Sequence, residues 1–348
     1  MGIVMSHKER VINTIERREV DYPPTQIDLT PSALDAIASH WQVHRSEEAM
    51  MRHLDNHIVY AYLNDPMGDM RRRNVSQSQK VLYDEWGVGW DTQQEGIHIV
   101  VHPLADINKY PRYQFPDPNS PSLMDVAFRT VEVYIKEYFV VAFQATCLFE
   151  RAWALRGFEN FLLDMVLNRD FAETLLDKIT DYQVEIAKRF CAIGVDCART
   201  SDDYGGQENL LMSPKMWREM IKPRLKRIWE VYLDAGVMVM HHSCGDVQMI
   251  LEDLVDMGMT ILHPVQPKAM PVDVLKAKFG GRITFYGGIC TQQTLPFGTP
   301  QDVFFEVEER YRVLGNGGGY IIAPSVAITS DVSKANIEAL IKALQKFR

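Results

Sequence analysis

Two positions apart, His242 and Cys244 offer an imidazole nitrogen and a sulfur, donor types that zinc prefers. His242 closes the apolar run 237–242 and Cys244 follows two residues on, so their spacing predicts two side chains on one face of a strand end. Cys290, just past the apolar run 283–288, is the candidate third donor. Three protein donors would leave one tetrahedral position open, as a catalytic metal site requires. The competing reading makes Cys244 and Cys290 small buried hydrophobes, since free cysteine is among the most buried residue types. Glu150 is a candidate fourth ligand or proton carrier, with a salt bridge to Arg151 as its alternative. Asp202, Asp203 and Tyr204 follow the run 195–201. One of the two acids is expected to face inward, to bind substrate or move a proton. The alternative is that they cap the following loop or pair with Arg199. Asp28 and His263 stand in other runs, His263 either holding substrate or making a structural hydrogen bond. His241 should face away from His242 and pack under a helix. Cys191 and Cys197 are read as packing, and Cys147 as core with a place at the site as its alternative.

Such residues need a scaffold that gathers run ends in one place. Eight short apolar runs, at 24–29, 57–63, 139–148, 195–201, 237–242, 260–265, 283–288 and 320–323, alternate with longer helical patterns. Those patterns include 158–193, long enough for two helices, then 214–234, 247–257, 302–314 and 333–347. Most runs lack the polar alternation of a half-wet strand, so both faces of a parallel sheet are expected to be covered. Eightfold alternation predicts a (β/α)8 TIM barrel, an α/β fold whose active site forms at the C-terminal strand ends. A doubly wound sheet would want a glycine fingerprint after its first strand, and Ile27-Asp28-Leu29-Thr30 has none. Residues 80–102 read as a β-hairpin inserted near the N-terminus, and the Pro-, Asn- and Asp-rich 103–121 as a loop. The glycine run 315–319 precedes a strand rather than a helix, so it reads as a turn and not a phosphate cradle. With no linker composition, 1–348 reads as a single domain.

Net charge and composition exclude other classes. The formal charge is −9 and the pI about 5.6, against the basic clusters that nucleic-acid binding needs. Arg71–Arg73 is the obvious basic run and reads as a solvated face. No apolar stretch reaches about 18 residues, so no membrane span is expected. Five cysteines in so long a chain, and an N-terminal stretch without a signal-peptide core, point to reduced thiols and a cytoplasmic location.

Three stretches, HHSCGDVQMILEDLVDMGMTILHPVQP, DVLKAKFGGRITFYGGICTQQTLPFGTPQDV and GGGYIIAPSVAITSDVSKANIEALIKAL, resemble the C-terminal half of the uroporphyrinogen-decarboxylase superfamily. HKERVINTIERREVDYPP resembles its opening helix and YDEWGVGW its early hairpin. The resemblance implies a (β/α)8 barrel. True decarboxylases of this superfamily carry paired arginines near the N-terminus that grip substrate carboxylates. The corresponding stretch here, PPTQIDLTPSALDA, has none. His242-x-Cys244 instead resembles the zinc-dependent methyltransferases that work with corrinoid proteins. Well-known members of that branch take a third zinc ligand from a cysteine after the eighth strand, where this chain reads Ala323-Pro324-Ser325-Val326. Cys290 is the expected substitute.

The resemblance implies a Zn2+ cofactor and cobalamin carried by a separate corrinoid protein, since no Asp-x-His-x-x-Gly segment is present. Two directions of methyl transfer fit. In one, an aryl methyl ether is the donor, as in O-demethylase systems; in the other, a thiol of the coenzyme M type is the acceptor. The first is preferred because the ligand set departs from that of the thiol-using members. Trp86, Trp90, Phe143, Phe149, Tyr204 and Tyr286 are candidates for an aromatic pocket or for ordinary core. The inserted hairpin and 103–121 are the expected docking surface for the corrinoid protein, and a homodimer is left open. The rival readings are a metal-free decarboxylase-like enzyme using Asp202 or Asp203, and a non-catalytic scaffold.

Overall fold

The computed structural model describes residues 4–44, 46–66, 68, 80–93, 95–96 and 98–348, so Arg71–Arg73 lies outside the described residues. Seven parallel strands curl into one sheet, in the order β1 (Ile58–Ala61), β5 (Phe139–Gln144), β6 (Cys197–Ser201), β7 (Met238–His242), β8 (Ile261–Val265), β9 (Thr284–Ile289) and β10 (Tyr320–Pro324). Strands β8, β9 and β10 are buried along their whole length, as apolar runs covered on both faces must be. Parallel pairing needs crossovers. Helices Arg169–Ile193, Lys222–Asp234, Gln248–Asp256, Val272–Phe279, Pro300–Leu314 and Lys334–Gln345 lie in them or follow the last strand.

The eighth place in the barrel is filled by an irregular segment. Residues 24–29 bridge β10 through Thr25 and Ile322, and Gln26 N donates to Ile322 O at 3.0 Å. Toward β1 the pairing runs largely through side chains. Asn56 Oδ1 accepts from Ile27 N at 2.8 Å, and Gln26 Oε1 from Ile58 N at 3.1 Å. Pro23 and Pro24 have no amide hydrogen to give to a ladder. The expected first strand is thus a strand in position but not in regular hydrogen bonding.

Inside the barrel, Ile58, Tyr60, Phe139, Val141, Cys197, Met240, Ile261, Tyr286, Ile321 and Ala323 form their own core, separate from the larger layer between strands and helices. Val11 and Ile15 join it from helix His7–Ile15, which closes the N-terminal end of the barrel. That helix opens on a capping box between Ser6 and Glu9. With one end plugged, the C-terminal strand ends form the mouth.

The inserted segment adds a strand to the expected hairpin. β2 (Val81–Tyr83), β3 (Gly89–Asp91) and β4 (Ile99–Val101) pair antiparallel in chain order. The extra turn is built by Asp84, whose Oδ1 accepts from Trp86 N at 3.0 Å and Val88 N at 2.9 Å, with Gly87 at φ +72°. Asp84 Oδ2 accepts from Trp90 Nε1 at 3.0 Å and pairs with buried Arg151, tying this sheet to helix Phe149–Arg156. The 103–121 segment is pinned to the same helix, with Leu104 N donating to Leu155 O.

Candidate active site

Strand alternation decides which polar residues reach the mouth. In β6, Cys197 belongs to the barrel interior and Ala198 to the helix-facing layer. Counting by twos sends Arg199 inward. In β7, Met240 is interior, and His242 follows it inward. His241 takes the other face, where its Nδ1 meets Thr200 Oγ1 at 2.9 Å and its ring packs edge-on to Trp229. Burial lowers its pKa to about 3, so it is neutral, as a packed strand histidine should be.

At the mouth, His242 Nε2 lies 3.6 Å from Cys244 Sγ and 3.4 Å from Asp203 Oδ1, and the donor atoms of the three residues lie within 4.8 Å of one another. Zinc bonds of about 2.0–2.1 Å to nitrogen, ~2.3 Å to sulfur and ~2.0–2.2 Å to oxygen, set at the tetrahedral angle, require N–S and N–O edges of about 3.6 and 3.4 Å. The donor set therefore fits a tetrahedral ion without rearrangement of these two edges. Among the described residues, one other such group exists, His7, Asp55 and His57. There Asp55 is already engaged by His7, Tyr22 and Arg348.

A close backbone contact sets this geometry. The loops after β6 and β7 touch at Gly205 and Gly245. A Cβ on Gly245, which has φ +82°, would lie 2.4 Å from the Gly205 carbonyl carbon. Cys244 N donates to Asp203 Oδ1 at 2.8 Å, and Asp246 N to Gly206 O at 2.8 Å. Burial raises the Asp203 carboxyl, but its hydrogen bond to His242, the charge of that ring and the Cys244 amide outweigh it, so its pKa falls below the usual value. Burial, then the charges of Asp203 and Glu150, push the Cys244 thiol well up.

The other ring nitrogen of His242, Nδ1, faces Arg199 Nη2 at 2.8 Å and His263 Nδ1 at 2.7 Å. It can accept from Arg199 or donate to His263, but not both at once. Burial, then the charge of Arg199, keep His263 neutral, with a pKa well below the usual value. Arg199 can only donate and a neutral His263 can donate or accept, and together the two contacts hold the ring with Nε2 turned toward Cys244 and Asp203. His263 packs on Tyr286 with ring centroids 4.3 Å apart. The Arg199 guanidinium lies over Phe143 at 4.8 Å and Tyr60 at 5.5 Å. Sequence reasoning treated Arg199 as a rim residue paired to an acid. Its place in the middle of an apolar run was the signal that it turns inward.

Several expected site residues lie elsewhere. Asp202 is fully buried, and its carboxylate accepts from Leu148 N at 3.0 Å and Glu150 N at 2.8 Å, holding the start of helix Phe149–Arg156. Burial raises its pKa to about 7. Of the two alternatives, capping thus applies to Asp202 and the inward place to Asp203. Tyr204 is buried too, its hydroxyl donating to Asp202 Oδ2 at 3.2 Å, so it is core rather than mouth. β5 ends at Gln144, earlier than expected, because Thr146 turns the chain at φ +47°. Glu150 therefore sits in the first turn of a helix. It is near enough for its charge to act on Cys244, but outside the three-donor group.

Cys290 also stays outside that group. It is buried, and its N–H donates to Glu306 Oε2 at 3.1 Å. Gly287 and Gly288, at φ +115° and +92°, interrupt the alternation that would have carried Cys290 inward with Tyr286. Asp28 accepts from Gln26 Nε2 at 3.0 Å, and its charge reaches Tyr60 and Tyr286 at the barrel interior. Cys147 and Cys197 are buried core, and Cys191 is partly buried on helix Arg169–Ile193. Of the expected aromatic residues, Phe143 and Tyr286 face the interior, while Trp86, Trp90, Phe149 and Tyr204 pack in the outer layer.

A closed parallel barrel with metal-donor side chains at its C-terminal strand ends defines an enzyme-like (β/α)8 architecture. The family model described as uroporphyrinogen decarboxylase (URO-D) matches residues 81–347, and the chain belongs to that family. Among solved structures, a methyltransferase from Methanosarcina mazei is similar over 99% of both chains, with TM-score 0.73 and 19% identity. A B12-independent methionine synthase from a Shewanella species covers 92% of this chain and 94% of its own, with TM-score 0.45 and 12% identity. At 19% identity the likeness to the first speaks to fold. A comparison with curated proteins gives no match. No helix among the described residues is long and apolar enough to cross a membrane.

Proposed function

We propose that this protein is a zinc-dependent methyltransferase that moves a methyl group between a small substrate, with aryl methyl ethers as the leading class, and a corrinoid protein. The observation that carries the reading is the meeting of His242 Nε2, Cys244 Sγ and Asp203 Oδ1 at zinc-like separations in the barrel mouth. The full-length structural likeness to a protein described as a methyltransferase supports it. His242, Cys244 and Asp203 would hold the ion and leave one tetrahedral position for substrate. Zinc there would supply Lewis acidity to an ether oxygen, or hold a thiol as its thiolate.

The protein's own groups prepare that chemistry. Cys244 gives up its proton on metal uptake. His263 fixes the His242 ring so that Nε2 faces the other two donors. Asp203 is oriented by the Cys244 amide and kept ionised by its neighbours. Tyr60, Phe143 and Tyr286 give walls suited to a flat aromatic group. A metal-free decarboxylase using Asp202 is disfavoured, because that carboxylate is turned to backbone amides. The corrinoid protein would dock at the mouth, with the β2–β4 sheet and 103–121 as part of its surface.

Metal analysis of tag-free protein tests the reading. Near-stoichiometric zinc is expected in the wild type and in Cys290→Ser, and loss of it in His242→Ala, Cys244→Ser and Asp203→Asn, with circular dichroism unchanged. Wild-type protein that takes up no zinc after reconstitution under reducing conditions would sink the mechanism. Zinc lost from Cys290→Ser but kept in Asp203→Asn would reassign the third ligand.

A further inference from the structure

We infer that Arg199 anchors an anionic group of the substrate, so that the methylated compound is a small carboxylate. The word "methylated" rests on the function proposed above, whereas the carboxylate rests on the geometry of Arg199 alone. A guanidinium keeps its charge at any working pH. Such a charge, when withdrawn from water, needs pairing and hydrogen bonding to be tolerated. Arg199 is only partly exposed, and among the described residues no carboxylate oxygen lies within the 4.0 Å of an ion pair. Its Nε is buried and has no hydrogen-bond partner among the described residues. Its Nη2 meets His242 Nδ1, a ring nitrogen rather than a carboxylate. Asp203 acts on it only through space, since that carboxylate is turned to His242 and the Cys244 amide.

The guanidinium rests against Phe143 and Tyr60, two rings that meet each other edge to face on one side of it. A planar cation that rests on aromatic rings and keeps an unmet Nε–H suits an oxygen of a carboxylate, whose second oxygen can share the neighbouring Nη2. The arrangement also limits substrate length. Arg199 meets one nitrogen of the His242 ring, and the other nitrogen faces Cys244 and Asp203. The anion and the metal-side donors are therefore one imidazole ring apart. A substrate that reaches both has its methylated atom only a few bonds from its carboxylate, as in methoxyacetate or 2-methoxybenzoate.

Calorimetric titration of the full chain, metal-free and zinc-loaded, with these two acids and their neutral amides tests the assignment. The wild type should bind at least one acid, at least tenfold more tightly than its amide, in both metal states. Arg199→Met should bind acid and amide alike, and Arg199→Lys should recover part of the preference. Equal affinity for acid and amide in the wild type, a preference that survives in Arg199→Met, or no binding of either acid at millimolar concentration would overturn it. Acid preference in protein that takes up no zinc would leave Arg199 as an anion anchor and remove the methyltransferase reading. Zinc uptake without acid preference would do the reverse.

Discussion

Glu85 offers a test of the physical reasoning that does not involve the metal. It borders a cavity of about 40 Å3 shared with Tyr62, Trp86, Phe143, Arg151 and Tyr182, and its Oε2 is buried without a hydrogen-bond partner among the described residues. Burial first, and then the charge of Asp65, raise its pKa from 4.5 to about 8. The folded protein therefore keeps a proton that the unfolded chain has released between those two values. More protons bound in the folded state means that stability falls as pH rises through this window. At about 1.36 kcal/mol per pKa unit, the penalty is about 3 kcal/mol at pH 7 and about 1 kcal/mol at pH 5. Glu85→Gln keeps the shape and cannot ionise. It should be more stable than wild type at pH 7, with an advantage about 2 kcal/mol smaller at pH 5. Urea denaturation followed by tryptophan fluorescence and circular dichroism at stepped pH measures the difference. Parallel stability profiles for the two proteins would show that burial does not govern this carboxyl, and the argument would fall.

The other predictions concern the frame of the site and the site itself. Asp84→Ala strands Arg151 in the protein interior and should cost about 3–5 kcal/mol, read from denaturation midpoints. Gly245→Ala should push the two loops apart and abolish zinc uptake, measured by metal content. Gly194→Ala shares the φ of +82° but meets nothing within 4 Å, so it should keep its zinc and separates backbone strain from the collision. Zinc should depend on His242, Cys244 and Asp203 but not on Cys290, by elemental analysis of the four variants. Acid-over-amide discrimination should vanish in Arg199→Met, by calorimetry.

Apolar runs covered on both faces made the barrel legible, because parallel strands leave that pattern whatever their neighbours are. The segment 24–29 was legible only as a place in the barrel. Nothing in its sequence says that the Gln26 and Asn56 side chains stand in for backbone partners. The third strand of the inserted sheet was hidden because one aspartate, Asp84, folds a turn inside what reads as a single run. In the site, His242 and Cys244 follow from spacing, whereas the choice between Asp202 and Asp203 turns on strand parity. Counting by twos from Cys197 favours Asp203. The same counting fails for Cys290, where two glycines with positive φ break the rule it relies on.

The three donor residues come from the ends of two neighbouring strands, β6 and β7, whose loops are already joined by Gly205 and Gly245. An ion held this way is fastened to one arc of the rim. It does not staple distant parts of the barrel together, so its departure releases no strand from its neighbour. A metal there would behave as an exchangeable part of a finished machine. Protein made without zinc would await loading in its final shape, and removing the ion with a chelator would be a reversible event at the mouth.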